Sequence, residues 1–117
     1  MNTLEFIVDI PEFETGFTCS MIRMPRAIFI WAGMGSSLGY LSVAVPPRLP
    51  SSPSCGSIIL QNSSRATQLS SRFSSLLKMQ IFISGDLSDE ADHLWAGLEA
   101  RIKEEITVHP AFFACAI

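Results

Sequence analysis

The sequence predicts an α+β domain in which a mostly antiparallel sheet of five to six strands, beginning as a meander, carries two packed helices. The first 45 residues hold short apolar segments with the alternation or the uniform apolarity of strands. The period then changes to that of a helix at residue 63 and again at residue 88. Since 117 residues make one ordinary domain, we expect residues 1–117 to form a single unit.

Two alternating segments open the meander. Residues 4–10 place apolar side chains on one side and mostly polar ones on the other, which predicts a strand with one wetter face. Residues 17–24 alternate in the same way, and Cys19 falls on the apolar side as a core thiol. Pro11 and Pro25 end these two strands.

The next segment, residues 27–33, is apolar throughout and too short for a typical helix. It therefore predicts a central strand, with Trp31 in the core. The glycine-rich stretch that follows predicts a hairpin turn, because glycine adopts positive φ without strain. A further strand is expected at residues 38–45, where odd and even side chains point to opposite faces.

The second half of the chain alternates loops, helices and a strand. Residues 46–57 contain four of the seven prolines and predict a flexible loop within the domain, with a short strand possible at 57–60. A helix is predicted over 63–77, and a strand follows at 79–84.

The last helix is the clearest one in the sequence. It is predicted to run from Ser88, a plausible N-cap, to about Val108, and Pro110 ends it. Leu98 and Trp95 lie on its apolar stripe, so both are expected to pack on the sheet.

Composition points to protein binding. Hydrophobic residues make up 48% of the chain and charged residues only 16%, which is more apolar surface than one small core can hide. A nucleic-acid binder would carry a basic stripe, whereas the net charge is −3 and the eight Lys and Arg are scattered. We therefore expect a protein partner and no nucleic acid.

Residues that could carry chemistry do not form a recognisable set. His93 and His109 are too far apart along one helix for a metal pair. Cys19, Cys55 and Cys115 are an odd number at wide spacing, which indicates reduced cytoplasmic thiols and no disulfide framework. We predict no catalytic, metal or cofactor site. A small cytosolic enzyme that uses Cys55 or a histidine is the alternative.

A membrane anchor is a second alternative. Residues 27–47 hold no charge and are long enough to cross a bilayer, and Gly35 and Gly39 stand at the GxxxG spacing of packed membrane helices. Two buried strands joined by a turn account for the same residues, and we prefer that interpretation.

Two segments also carry a resemblance to a known family. In the first, an arginine-bearing strand leads into a hydrophobic-Trp-x-Gly strand and then another strand, here at Arg23, Ile30, Trp31, Gly33, Leu41, Val43 and Ala44. The second is the closing helix, here at Arg101, Ile102, Lys103, Glu104, Glu105 and Pro110. On these residues the chain resembles the proteasome assembly chaperone 4 family over about residues 4–113. The loop 46–57 and the apolar tail 111–117 depart from it.

This resemblance implies a non-catalytic chaperone without a cofactor. It implies a heterodimer with a protein similar to the third proteasome assembly chaperone, which promotes assembly of the 20S proteasome α-subunit ring. The expected partners are that chaperone, proteasome α subunits and, when the chain is alone, a second copy. We expect the chain in the cytoplasm, with the nucleus as a second compartment, and not in a membrane.

Candidate partner contacts come from the end of the chain. Arg101 and Glu104 are charged positions on the last helix, and Phe112 and Phe113 belong to the apolar tail. We predict these four residues as partner-binding.

Overall fold

The computed structural model describes residues 3–10, 15–34, 39–45, 55–58, 64–88 and 90–113. Strands alternate with helices only in the second half of the chain, as the change of period predicts. The elements in chain order are β1 (Thr3–Ile10), β2 (Thr15–Met24), β3 (Ala27–Gly33), β4 (Tyr40–Val45), β5 (Cys55–Ile58), α1 (Ser64–Leu77), β6 (Gln80–Gly85) and α2 (Asp92–Val108).

The strands form one six-stranded sheet in the order β1-β2-β3-β6-β4-β5. The pairs β1–β2 and β2–β3 are antiparallel, so the predicted meander is confirmed for these strands. The predicted hairpin between β3 and β4 is wrong, because β6 lies between them and runs parallel to β3. The sheet is therefore mixed and not purely antiparallel.

The central place of β6 follows from its side chains. Ile81 and Ile83 are fully buried, and Phe82 on the other face is half-buried. A strand that is apolar on both faces is best placed inside a sheet, where parallel pairing is common. The chain reaches this position through β4, β5 and α1.

Both helices pack on the same face of the sheet and make the core with it. Helix α1 lies against β4, β5 and β6, whereas α2 lies against β1. Ion pairs join the two helices at Arg65–Asp92 and at Arg72–Glu99, the latter at 2.8 Å. The largest fully buried side chains include Met21, Ile28, Ile30, Phe73, Met79, Ile81, Ile83, Leu98 and Ile102.

The N-cap of helix α2 lies three residues later than its sequence suggests. Ser88 belongs to a turn: its carbonyl accepts hydrogen bonds from the Ala91 N–H at 3.0 Å and from Trp95 Nε1 at 2.9 Å. Ala91 is the N-cap residue and Asp92 opens the helix. Trp95 is 4% exposed and its ring centroid lies 5.8 Å from that of Tyr40, so its predicted packing on the sheet is confirmed.

Other predicted boundaries shift only slightly. Strand β5 occupies 55–58, so it takes the end of the predicted loop 46–57 and precedes the strand expected at 57–60. Residues 46–54 of that loop lie outside the described residues. In the predicted membrane alternative at 27–47, residues 27–33 and 40–45 form β3 and β4. None of the helices in the described part of the chain is long and apolar enough to cross a bilayer.

Candidate partner-binding surface

The sheet has a second apolar face opposite the helices. We call the side chains of β1–β4 and β6 that point away from the helices the outer face. It continues across these strands because their registers place side chains of the same parity side by side. Its larger apolar members are Ile7, Ile22, Met24, Phe29, Trp31, Leu41, Val43, Val45 and Phe82.

The middle of the outer face is an unbroken apolar row. Ile22 pairs with Phe29, Phe29 with Phe82, and Phe82 with Val43 across neighbouring strands. The rings of Phe29 and Phe82 are stacked, with centroids 6.3 Å apart. Ile22 at one end of the row is 46% exposed, and the other three side chains are half-buried. The row thus offers aromatic and β-branched surface to whatever contacts this face.

Trp31 lies on the outer face and not in the core, which corrects its predicted position. It is half-buried, and its register neighbours are Ser20 and Ser84. Ser84 lies between Trp31 and Leu41 in the sheet. It is fully buried and donates a hydrogen bond to the Tyr40 carbonyl oxygen at 2.8 Å. The uniform apolarity of β3 had concealed which of its faces the helices cover.

Strand β4 gives the most direct indication that a partner buries the outer face. Its larger aliphatic side chains, Leu41 and Val43, point outward, and Val45 beside them is 45% exposed. Toward the helices it presents Tyr40 and the smaller Ser42 and Ala44, and the Ser42 hydroxyl lies 3.1 Å from that of Thr67. A solvated sheet face would show the opposite arrangement. Contiguous apolar surface of this kind marks an interaction site.

Arg101 on α2 is engaged within the chain. Its guanidinium donates to the Ile7 carbonyl oxygen at 3.0 Å and lies 4.6 Å from the ring centroid of Phe6. It also pairs with Glu105, a buried carboxylate, at 3.0 Å, and the other oxygen of Glu105 lies 3.4 Å from Nε2 of His109. The Arg101 side chain therefore joins α2 to the edge strand β1.

The other predicted partner contacts lie in different surroundings. Glu104 is exposed on α2. Phe112 and Phe113 are each 4% exposed, and their rings meet edge to face at 5.1 Å between centroids. These two side chains belong to the core of the chain itself. A role of Arg101, Glu104, Phe112 or Phe113 in partner binding stays a prediction.

Cys19, the cysteine whose side chain the structure describes, is buried in the core. Burial raises the pKa of the Cys19 thiol to about 12, although the nearby Arg101 guanidinium opposes the rise. Because the thiolate is the nucleophile, Cys19 stays inert at neutral pH. Among the described residues, no three His, Cys, Asp or Glu side chains could together hold a metal ion. The Cys55 side chain and Cys115 lie outside what the structure describes.

Sequence reasoning alone did not find the outer face. The available signal was β4, where the alternating positions 41, 43 and 45 are Leu, Val and Val and the positions between them are small, polar or aromatic. That pattern identifies two faces but not the one the helices cover. Assigning the face requires the register between β4 and β6. The predicted hairpin paired β4 with β3 instead, so this register was not considered.

Known proteins resemble this chain in sequence. The family model described as proteasome assembly chaperone 4 matches residues 16–87, which span β2 to β6 and stop before α2. Proteasome assembly chaperone 4 of Mus musculus is 31% identical over 94 residues, or 80% of this chain and 76% of the relative. The Homo sapiens protein of that name is 30% identical over the same shares.

A solved structure has a similar fold. One chain from the crystal structure of a chaperone complex for yeast 20S proteasome assembly superimposes with a TM-score of 0.65, covering 97% of this chain and 100% of that one. Only 10% of the residues are identical, so this likeness concerns the fold alone.

Proposed function

This chain belongs to the proteasome assembly chaperone 4 family, and we propose that it is a non-catalytic chaperone that promotes assembly of the 20S proteasome α-subunit ring. It does so as a heterodimer with a protein similar to the third proteasome assembly chaperone. The relatives carry the name of assembly chaperones, and the neighbour of like fold comes from a chaperone complex for 20S proteasome assembly. These names support the proposal for this chain.

The apolar outer face is the observation that carries the proposal. The row from Ile22 to Val43 crosses β2, β3, β6 and β4, the inner strands of the sheet. A partner seated there would remove aromatic and aliphatic side chains from water, at about 25 cal/mol for each Å² of apolar surface buried. Aromatic residues such as Phe29, Phe82 and Trp31 bury large apolar areas and dominate the energetics of interfaces.

The β1 edge of the sheet favours contact through the face. On β1, the backbone carbonyl of Ile7 is already bound by Arg101, so an added strand would have to displace this side chain. Strand addition needs a row of free backbone groups. The outer face needs no such rearrangement, because its apolar side chains already project from the strands.

Affinity capture from a cell extract, followed by mass spectrometry, tests this function. We expect the tagged wild-type chain to retain proteasome α subunits together with a second small chaperone. Ile22→Lys should lose both, because it places a charge in the apolar row. Leu76→Lys is the matched control, since Leu76 is an exposed leucine on α1 at 58%.

This experiment has one outcome that supports the proposed function and two that contradict parts of it. Retention of the α subunits by wild type and Leu76→Lys, with loss by Ile22→Lys, supports chaperone function through the outer face. Equal retention by all three proteins would move the interface away from this face. Failure of the wild-type chain to retain any α subunit would contradict the function itself.

A further inference from the structure

The outer face has an acidic border on one side. Strand β1 directs Glu5, Ile7 and Asp9 outward, next to the apolar centre formed by the following strands. All three side chains are exposed, and Ile7 is 61% exposed between the two carboxylates. The border thus joins an exposed apolar side chain to two negative charges.

Neighbours on β2 bind one of these carboxylates and leave room for the other. Ser20, the register partner of Glu5, donates a hydrogen bond from its hydroxyl to Glu5 Oε1 at 3.2 Å. Asp9 pairs with Gly16, and a Cβ added to Gly16 would lie 3.0 Å from Asp9 Oδ1. The glycine leaves the space that the Asp9 carboxylate occupies above the sheet.

The face provides no cation to balance this border. At the outward positions of β1–β4 and β6, the sequence places these two acids and no Lys or Arg. Arg101 reaches β1 from the helix side, where its guanidinium pairs with Glu105. Arg26 and Lys78 lie in the turns that precede β3 and β6, outside the strand positions.

We propose that Glu5 and Asp9 determine which partner the outer face accepts: they favour a partner with basic side chains opposite β1 and disfavour a second copy of this chain. This inference rests on the proposed function, because it concerns the same face. Covering the face takes both carboxylates out of water, which is unfavourable unless a cation meets them. Like charges brought together across an interface suppress the wrong partner.

In the two arrangements whose axis follows or crosses the strands, the described strands of a second copy place no cation opposite this border. If the two-fold axis crosses the strands, β1 faces β1 and four carboxylates converge, two from each copy. If the axis runs along the strands, β1 faces the opposite edge of the sheet, which β4 and β5 form without any Lys or Arg. The acids then lose water without gaining a cation. A partner with Lys or Arg at these positions avoids both penalties.

Self-association of the purified chain tests this selection without any partner. The double substitution Glu5→Gln and Asp9→Asn keeps the shape of both side chains and removes their charge. In a dilution series followed by sedimentation velocity, we expect this variant to dimerise at least about tenfold more tightly than wild type, or about 1.4 kcal/mol. Equal association, including the case in which both proteins stay monomeric, would overturn the proposal.

A second double variant controls for net charge. Glu90→Gln with Asp92→Asn changes the charge by the same amount, through the same two kinds of substitution, at two exposed acids outside the sheet. It should associate as wild type does. If it dimerises as tightly as the β1 variant, general repulsion and not the border explains the result, and the proposal is again overturned.

Adding Ile22→Lys separates this inference from the proposed function. In the charge-neutral β1 variant, the added lysine should abolish the gained dimer, because it disrupts the apolar row on the same face. A gained dimer that survives Ile22→Lys would place self-association elsewhere and overturn the selection proposal. Loss of captured α subunits with Ile22→Lys would still support chaperone function in that case, so the two hypotheses fail independently.

Discussion

The two faces of the sheet are both apolar, yet helices of the same chain cover only one of them. On the helix-covered face, Ile28, Ile81 and Leu98 have no exposed surface. On the outer face, Ile22 and Val45 remain about half exposed, at 46% and 45%. The helix-covered face therefore stabilises the isolated chain, whereas the outer face can gain stability only by association. Substitutions on each face test this division.

The largest expected effect lies on the helix-covered face. Leu98 is fully buried on α2, so Leu98→Ala removes core contacts and leaves a cavity. It should lower the free energy of unfolding of the isolated chain by about 2–5 kcal/mol. Urea denaturation followed by circular dichroism measures this change. A loss below about 0.5 kcal/mol would be typical of a surface position and would contradict the assigned packing.

A smaller effect is expected where α2 meets the edge of the sheet. Arg101→Ala removes the hydrogen bond to Ile7, the contact with Phe6 and the partner of the buried Glu105. Because the Arg101 side chain is 33% exposed and partly screened, we expect a loss of about 1–2 kcal/mol in the same denaturation experiment.

Glu104 provides the matched comparison for Arg101. Glu104→Gln changes an exposed charge on the same helix and should shift stability by less than about 0.5 kcal/mol. Equal effects of the two substitutions would show that the Arg101 contacts do not stabilise the fold.

The pH dependence of stability reports the burial of Cys19. The unfolded thiol ionises near its ordinary pKa of 9.0, whereas burial raises the folded pKa to about 12. The folded chain thus keeps a proton that the unfolded chain loses, and stability falls as pH rises above 9.0. At about pH 10 this contributes roughly 1 kcal/mol of lost stability.

Cys19→Ala isolates this contribution. The variant lacks the thiol, so its unfolding free energy should decline less steeply between neutral pH and about pH 10 than that of wild type. Parallel pH profiles for the two proteins would mean that the thiol ionises equally easily in both states, which full burial does not allow.

The smallest effect on the isolated chain is expected on the outer face. Ile22 is 46% exposed, so Ile22→Lys should change the free energy of unfolding by less than about 0.5 kcal/mol when the chain is monomeric. Denaturation at high dilution tests this. A loss of several kcal/mol would show that the outer face stabilises the monomer, and the distinction between the two faces would fail.

Periodicity predicted most of the elements but not their arrangement. The alternation of β1 and β2 and the helical stripe of α1 depend on neighbouring residues, so sequence spacing locates them well. The insertion of β6 between β3 and β4 depends on contacts between distant segments, which periodicity does not report. The turn at Ser88 is fixed by a hydrogen bond from the Trp95 side chain, which the capping preference of serine does not reveal.

The outer face was hidden for the same reason. A strand such as β3, apolar on both sides, gives no sign of which side the helices cover, so Trp31 was predicted in the core. Arg101 and Glu104 were predicted as partner contacts because they belong to the charged run on the last helix. The structure shows that Arg101 is already used within the chain.

Titration calorimetry with the purified third assembly chaperone tests the central claim most directly. The account predicts that wild type and Leu76→Lys bind this partner equally well, whereas Ile22→Lys binds at least about tenfold more weakly, with all three chains equally stable alone. Equal affinity of Ile22→Lys and wild type would contradict the claim that the partner binds the outer face.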